Sequence, residues 1–351
     1  MYSMFRRVMY NHKYLFVKGF VIGSVVFGII GWIIPIASPL STEQFQGGVL
    51  RTSAADYKYI DPLLSCEIGS EATFPELNPI KDSVAKVVKD QIQWGEAQDI
   101  SVYFRRLNTA EWFELNGSTT YAPASLLKVF VMMAYYKAAN EMDYPGLLQK
   151  QIAFEGSKDP SKDMPGEIIP HLVSGRFYTV AQLIDQMIIY SDNDALTTLA
   201  NHFDSQTLNY FNLIFKDLGI PNPDSQNENS LNFMNVKDYS LVFRVLYGST
   251  YLSERYSEHA LDLLSRVHFK GGIVMGVPSS LAVAHKFGIK SIPETATSAG
   301  AAEFHDCGIV YYPNDPYFLC VMTRGSNFVS LQTAVQAASA AVYNGYRANL
   351  R

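Results

Sequence analysis

The sequence predicts an α+β body: an antiparallel five-stranded sheet flanked by terminal helices, with an all-helical part inserted in the middle, preceded by one N-terminal transmembrane helix. Three observations carry this. Strand-like apolar runs fall in two clusters, two before and three after a long block of helix-periodic segments. Further helix-periodic segments bracket the whole, and a long uncharged stretch precedes it. The 351 residues are 48% hydrophobic, with 28 Lys+Arg against 33 Asp+Glu, which excludes a disordered chain, a collagen-like chain and a small disulfide scaffold.

In chain order, Gly19 to Leu40 is uncharged and mostly apolar up to Ile36, long enough to span a hydrocarbon core. Arg6, Arg7, Lys13 and Lys18 all precede it and Glu43 follows, so the N-terminus is expected in the cytoplasm and the body outside. A cleaved signal peptide is the rival reading; the run is long for one, and its small-residue pair Ala37-Ser38 is followed by Pro39. Residues 1–40 are therefore assigned to a tail and anchor. Residues 41–78 are polar and aperiodic, as a stalk would be. What remains is acidic and has no basic stripe, which argues against a nucleic-acid partner.

The body, 79–351, opens with Ile80, Val84, Val87, Val88 and Ile92 on one helical face. Ile100 to Leu107 and Glu111 to Leu115 read as a hairpin around Asn108-Thr109. Helices follow at Ser125 to Ala139, Val180 to Tyr190 behind Thr179 as N-cap, Ala195 to His202, Leu208 to Leu218 and Val236 to Leu246. Leu261 to Val267 precedes strand patterns at Leu281 to Ile289, Gly308 to Tyr312 and Tyr317 to Thr323, and a last helix runs from Val329 to Tyr346. Residues 79–124 and 250–351 thus form the α/β part and 125–249 the all-helical part. Cys307 and Cys320 lie in two of these strand patterns, where a disulfide and two buried thiols are both open; Cys66 lies in the linker.

Three short patterns carry chemistry. In Ser125-Leu126-Leu127-Lys128, a three-residue helical step brings an amine beside a hydroxyl that it can deprotonate. Pro123-Ala124 lead in and an apolar helix follows, so the hydroxyl stands at a helix start, where free N–H groups favour developing negative charge. Ser83 and Lys86 share the spacing but belong to a solvated face. Ser191-Asp192-Asn193 lies between two helices, where capping alone would also explain it. Lys286-Phe287-Gly288 lies within a strand pattern, putting a cation on an edge and allowing close approach to the backbone. Lys270-Gly271-Gly272 follows a helix and reads as a turn.

Taken in order, Ser-x-x-Lys, Ser-Asp-Asn and Lys-x-Gly resemble the penicillin-recognising serine hydrolases, specifically the class A β-lactamases. Leu263-Leu264 before a Gly-rich turn, Gly276-Val277-Pro278 and Ala282-Val283-Ala284-His285-Lys286 extend the resemblance over residues 79 to 351. It implies the β-lactamase/transpeptidase-like fold, with no cofactor or metal, acting on a small-molecule β-lactam or a peptidoglycan peptide. It further implies Ser125 as nucleophile, Lys128 as its base and Ser191 as proton relay to the leaving nitrogen. Asn193 would bind the substrate amide, Lys286 the substrate carboxylate, and the N–H groups of Ser125 and Ile289 would form the oxyanion hole behind Gly288.

Two departures stand out. The family usually has Thr or Ser where Phe287 stands, a hydroxyl that helps bind the substrate carboxylate; Arg324 is a candidate to compensate. Deacylation in the family needs a Glu and an Asn on a loop, and Glu228-Asn229-Ser230-Leu231-Asn232 reproduces that pattern shortly before the helix at Val236. Glu228 and Asn232 are the corresponding candidates. The expectation is a membrane-anchored class A-like β-lactamase. The alternatives are a penicillin-binding D-alanyl carboxypeptidase and a non-catalytic wall-binding relative. His285 and His305 show no metal-ligand spacing and are read as satisfied histidines.

Overall fold

A computed structural model describes residues 57–61, 74–141, 145–156, 170–221, 231–292 and 301–349. All of them lie in one compact unit, Ser53–Arg351. The apolar stretch at 19–40 and the residues Cys66 and Glu228 fall outside the described residues. No described helix is long and apolar enough to cross a membrane.

Helix α1 spans Asn78–Gln93 and buries Ile80, Val84 and Val88, with Pro79 in its first turn. Lys86 on its outer face pairs with Asp90, as a solvated face predicts. Strands β1 (Asp99–Arg106) and β2 (Trp112–Leu115) form the predicted hairpin. The helical block follows: α2 (Leu127–Glu141), α3 (Val180–Ile189), α4 (Asn193–Asn201), α5 (Ser205–Asp217), α6 (Val236–Tyr247) and α7 (Glu254–Ser265). Thr179 caps α3 in a reciprocal box with Gln182. The block also carries a two-stranded sheet, β3 (Gln151–Ala153) with β4 (Phe177–Thr179), which corrects the all-helical expectation. Three-residue strands are too short to show a period.

Strands β5 (Val283–Ile292), β6 (Ala301–Val310) and β7 (Tyr317–Gly325) and helix α8 (Phe328–Asn349) complete the fold. The main sheet is antiparallel in the order β2-β1-β7-β6-β5, so β5 is an edge strand. Strand β6 begins seven residues before the expected Gly308, because Glu303, His305 and Asp306 interrupt the apolar pattern yet are fully buried. Helices α1 and α8 pack together on one face of the sheet. There Phe104, Tyr317 and Tyr346 meet edge to face or tilted, as do Phe269, Phe304 and Phe328. Asp306, on the same face, accepts from the Ile273 N–H and pairs with His285 at 2.8 Å. His285 and His305 are not cross-strand neighbours, since His285 lies opposite Gly308 and His305 opposite Gly288.

Cys307 and Cys320 are register partners and are joined by a disulfide. A further departure lies in the stretch read as stalk. The backbone N–H groups of Lys58, Tyr59 and Ile60 all donate to the Glu258 carboxylate of α7, at 2.9 to 3.1 Å. Tyr59 and Ile60 are buried, so this piece of the linker is part of the body.

Candidate active site

Ser125 sits in a single 3₁₀ turn, Ala124–Leu126, that feeds directly into α2. Ala124 holds φ at +48°, a conformation that L side chains adopt only where the surroundings impose it. Three residues on, Lys128 is fully buried, because the first turns of α2 are apolar on every side: Val129, Phe130, Val131, Met132 and Met133 are all at 0–1% exposure.

The Lys128 amine meets the Ser-Asp-Asn tripeptide. It donates to the backbone oxygen of Ser191, lies 3.1 Å from Ser191 Oγ, and donates to Asn193 Oδ1 at 2.8 Å. Between these two residues Asp192 caps α4 by accepting the Ala195 N–H at 2.8 Å. Asp192 thus does the capping, while Ser191 and Asn193 turn to the Lys128 amine. Ser191 holds φ at +56°, the strained geometry that turns its side chain and its flanking residue to one amine.

From the sheet side, Lys286 on edge strand β5 donates to Ser191 Oγ at 2.9 Å. Two amines thus bracket one hydroxyl. Burial, then the neighbouring Lys128 charge, holds the Lys286 amine well below the ordinary lysine range, against a weaker opposing pull from Asp306. The amine also lies 4.0 Å above the Phe287 ring and 3.3 Å from the Phe287 carbonyl. Gly288 explains the glycine of the motif: a Cβ there would stand 2.7 Å from the Pro123 oxygen and 3.3 Å from the Ser125 nitrogen. Only a bare backbone lets β5 close on the turn that holds Ser125.

Phe287 is buried, its ring 4.5 Å from that of Phe269, and it contributes packing where a hydroxyl was expected. Arg324 does not compensate. Its guanidinium binds Glu303 at 2.8 Å, Asp99 at 3.1 Å and the Thr120 carbonyl at 3.0 Å, which commits it to the sheet and to the segment before Ser125. Ile289 follows Gly288 on the edge strand and is partly exposed. Asn232 is exposed and lies two residues before Met234, whose backbone pairs in both directions with Tyr121. The structure therefore brings Ser125, Lys128, Ser191, Asn193, Lys286 and Gly288 together, and ties the end of the Glu228–Asn232 pattern to the segment leading into Ser125.

Sequence reasoning missed Glu303 and His305. Both are fully buried on β6 and grip Ala122: Glu303 Oε2 accepts its N–H at 3.1 Å, and His305 Nε2 lies 3.1 Å from its carbonyl. The available signal was weak, since Phe304 is the one apolar residue between Glu303 and Asp306, too little to show a period of two.

The sequence matches the family described as "Beta-lactamase enzyme family" over residues 79–346. No curated protein matches it. Among solved structures, a class A β-lactamase from Mycobacterium abscessus is 20% identical with a TM-score of 0.60, covering 76% of this chain and 99% of its own. A class A β-lactamase representative from Bacteroides cellulosilyticus is 16% identical with a TM-score of 0.62, covering 79% and 100%. A mutant of PBP-A, solved as an acyl-enzyme complex with penicillin G, is 18% identical with a TM-score of 0.59, covering 76% and 97%.

Proposed function

The chain belongs to the beta-lactamase enzyme family, and we propose that it is a serine acyl-transfer enzyme of the class A type that opens a β-lactam amide through an acyl-enzyme on Ser125. The observation that carries this reading is the convergence of Lys128 and Lys286 on Ser191 Oγ, at 3.1 and 2.9 Å, beside the turn that holds Ser125.

Each residue then has one task. The neutral amine of Lys128 accepts the Ser125 hydroxyl proton as Oγ bonds to the lactam carbonyl carbon. The carbonyl electron pair moves to oxygen and is met by the N–H groups of Ser125 and Ile289. When the C–N bond breaks, Ser191 delivers a proton to the departing nitrogen and is recharged from the amines beside it. Two cations cannot share this dry pocket cheaply, since burial and the Lys128 charge both oppose a charged Lys286; we assign the neutral amine to Lys128, the one on the helix that Ser125 feeds. Hydrolysis of the acyl-enzyme falls to a water held by Glu228, with Asn232 as its partner. We assign the enzyme to the far side of the cytoplasmic membrane, tethered by residues 19–40, on the strength of the charge asymmetry around that stretch.

A second reading has its own support. PBP-A, one of the structural neighbours, has a mutant solved as an acyl-enzyme with penicillin G. A penicillin-binding D-alanyl carboxypeptidase with the same nucleophile would acylate and then stall on lactams. Turnover of a chromogenic cephalosporin by the wild-type body and by Glu228→Ala separates the two. Sustained turnover that stops after one equivalent in Glu228→Ala supports the lactamase. A stoichiometric burst already in the wild type supports the peptidase, and absence of both burst and turnover contradicts acyl transfer to lactams.

A further inference from the structure

The three residues that lead into the nucleophile's turn belong to no helix or strand, yet the backbone of each bonds to a partner far away in sequence. The Thr120 carbonyl accepts from Arg324 at 3.0 Å. Tyr121 donates to and accepts from Met234, at 2.8 and 3.2 Å. Ala122 is gripped on both sides from strand β6, its N–H by Glu303 and its carbonyl by His305. The tautomer of His305 follows from its partners: the Thr323 N–H donates to Nδ1 at 3.3 Å, so the proton sits on Nε2 and points at the Ala122 oxygen. The Tyr121 ring is enclosed as well, edge-on to His305 at 5.2 Å and under the Arg324 guanidinium at 5.0 Å.

This arrangement is expensive. A carboxylate at zero exposure sits beside the imidazole, 3.8 Å from Nε2, and leans on one guanidinium. Other buried positions on the same face, Phe318, Met322 and the Cys307–Cys320 disulfide among them, need no such network. The polar pair stands where the sheet meets the segment that must present Ala124 at positive φ, two residues beyond Ala122. Strained backbone of that kind persists only when its flanks are over-determined.

We infer that Glu303 and His305 are positioning residues for acyl transfer: gripping both backbone groups of Ala122 from β6, they hold the Ala124–Ser125 turn against Gly288 in the geometry from which Ser125 attacks. They touch no reacting atom. The inference rests on the proposed role of Ser125, and through the Tyr121–Met234 pairing the same grip reaches Met234, two residues after Asn232.

The test separates positioning from plain stability. Stopped-flow labelling with a fluorescent penicillin yields the acylation rate constant and the prior dissociation constant independently. Glu303→Gln keeps the shape but cannot accept from both Ala122 and Arg324; His305→Leu removes the Nε2 donor, and His305→Gln restores a donor at nearly the same place. The expected result is an acylation constant lowered about tenfold or more in Glu303→Gln and His305→Leu, with the dissociation constant within about twofold and His305→Gln returning most of the rate. Amide exchange over residues 119–126 should quicken in the first two variants and stay slow in the third. Wild-type acylation constants in folded Glu303→Gln and His305→Leu, or equal losses in Leu and Gln at position 305, would overturn the inference. Should Glu303→Gln not fold, the two His305 variants carry the test alone. A wild type that never labels, while exchange still quickens in the variants, would overturn the role of Ser125 and the positioning purpose with it, leaving only the grip itself.

Discussion

The face of the main sheet that meets α8 is closed largely by rings, among them Phe304, Phe269 and Phe328, whereas the face that meets Ser125 buries Lys286, Glu303 and His305. The rings of the first gain from every atom removed from water, and the face's buried ion pair, His285 with Asp306, lies apart from them. The second costs desolvation at each charge and recovers it only through bonds made in specific directions. A fold selected for stability alone would make both faces alike. That they differ, and that the polar groups gather within reach of Ser191 and of the segment before Ser125, marks one face as structural support and the other as working surface.

Substitutions on the two faces should therefore fail in different ways. The largest effect is expected from Lys128→Ala, which should lower the acylation rate by about a thousandfold in a protein that still folds, checked by labelling kinetics beside circular dichroism. Phe304→Ala is the mirror case. It should cost about 3 kcal/mol of unfolding free energy in a denaturant titration, while the folded fraction labels at nearly the wild-type rate. If Phe304→Ala slows labelling as strongly as it destabilises, the division between the faces is wrong.

Gly288→Ala should be smaller and mixed, because its new methyl group meets a backbone oxygen rather than a side chain that can turn away. A loss of roughly tenfold in acylation with a modest fall in melting temperature is expected. The smallest effect is on pH dependence. Burial alone would raise the Glu303 pKa, but the hydrogen bonds to His305 and Arg324 and the Arg324 charge outweigh it and hold the carboxyl below the usual 4.5. A depressed folded-state value means that the ionised form contributes stability above 4.5, and that this contribution is lost as the pH falls through the folded-state value. Acid titration of melting temperature should thus be steeper below that point in the wild type than in Glu303→Gln; parallel curves would remove Glu303 from the account.

Much of the site was legible because its parts are local. Ser-x-x-Lys is one helical step, Ser-Asp-Asn is one interhelical loop, and Lys286 with Gly288 is one strand period. Phe287 looked anomalous in sequence and is explained by the alternation itself: the register opposite Asp306 turns it toward Phe269 and the α8 side. What could not be read depends on contacts between distant segments. The start of β6 was placed too late because Glu303, His305 and Asp306 break the apolar pattern, and the partner of Glu303 and His305, Ala122, lies some 180 positions earlier. Arg324 could be read as a solvated strand-end residue or as a partner for a substrate carboxylate, because nothing local shows that Asp99, Glu303 and Thr120 already occupy it. The docking of Lys58, Tyr59 and Ile60 onto Glu258 spans about 200 positions and leaves no trace in a polar, aperiodic stretch.

The central claim is that Ser125 is the atom donor that becomes acylated. Peptide mapping by mass spectrometry, after brief exposure of the wild type and Glu228→Ala to benzylpenicillin and acid quenching, tests it most directly. The account predicts one adduct with the mass of the intact lactam, on the peptide bearing Ser125, accumulating in Glu228→Ala and absent from Ser125→Ala. An adduct on any other residue, or no adduct in any folded form across a panel of penicillins and cephalosporins, would contradict it.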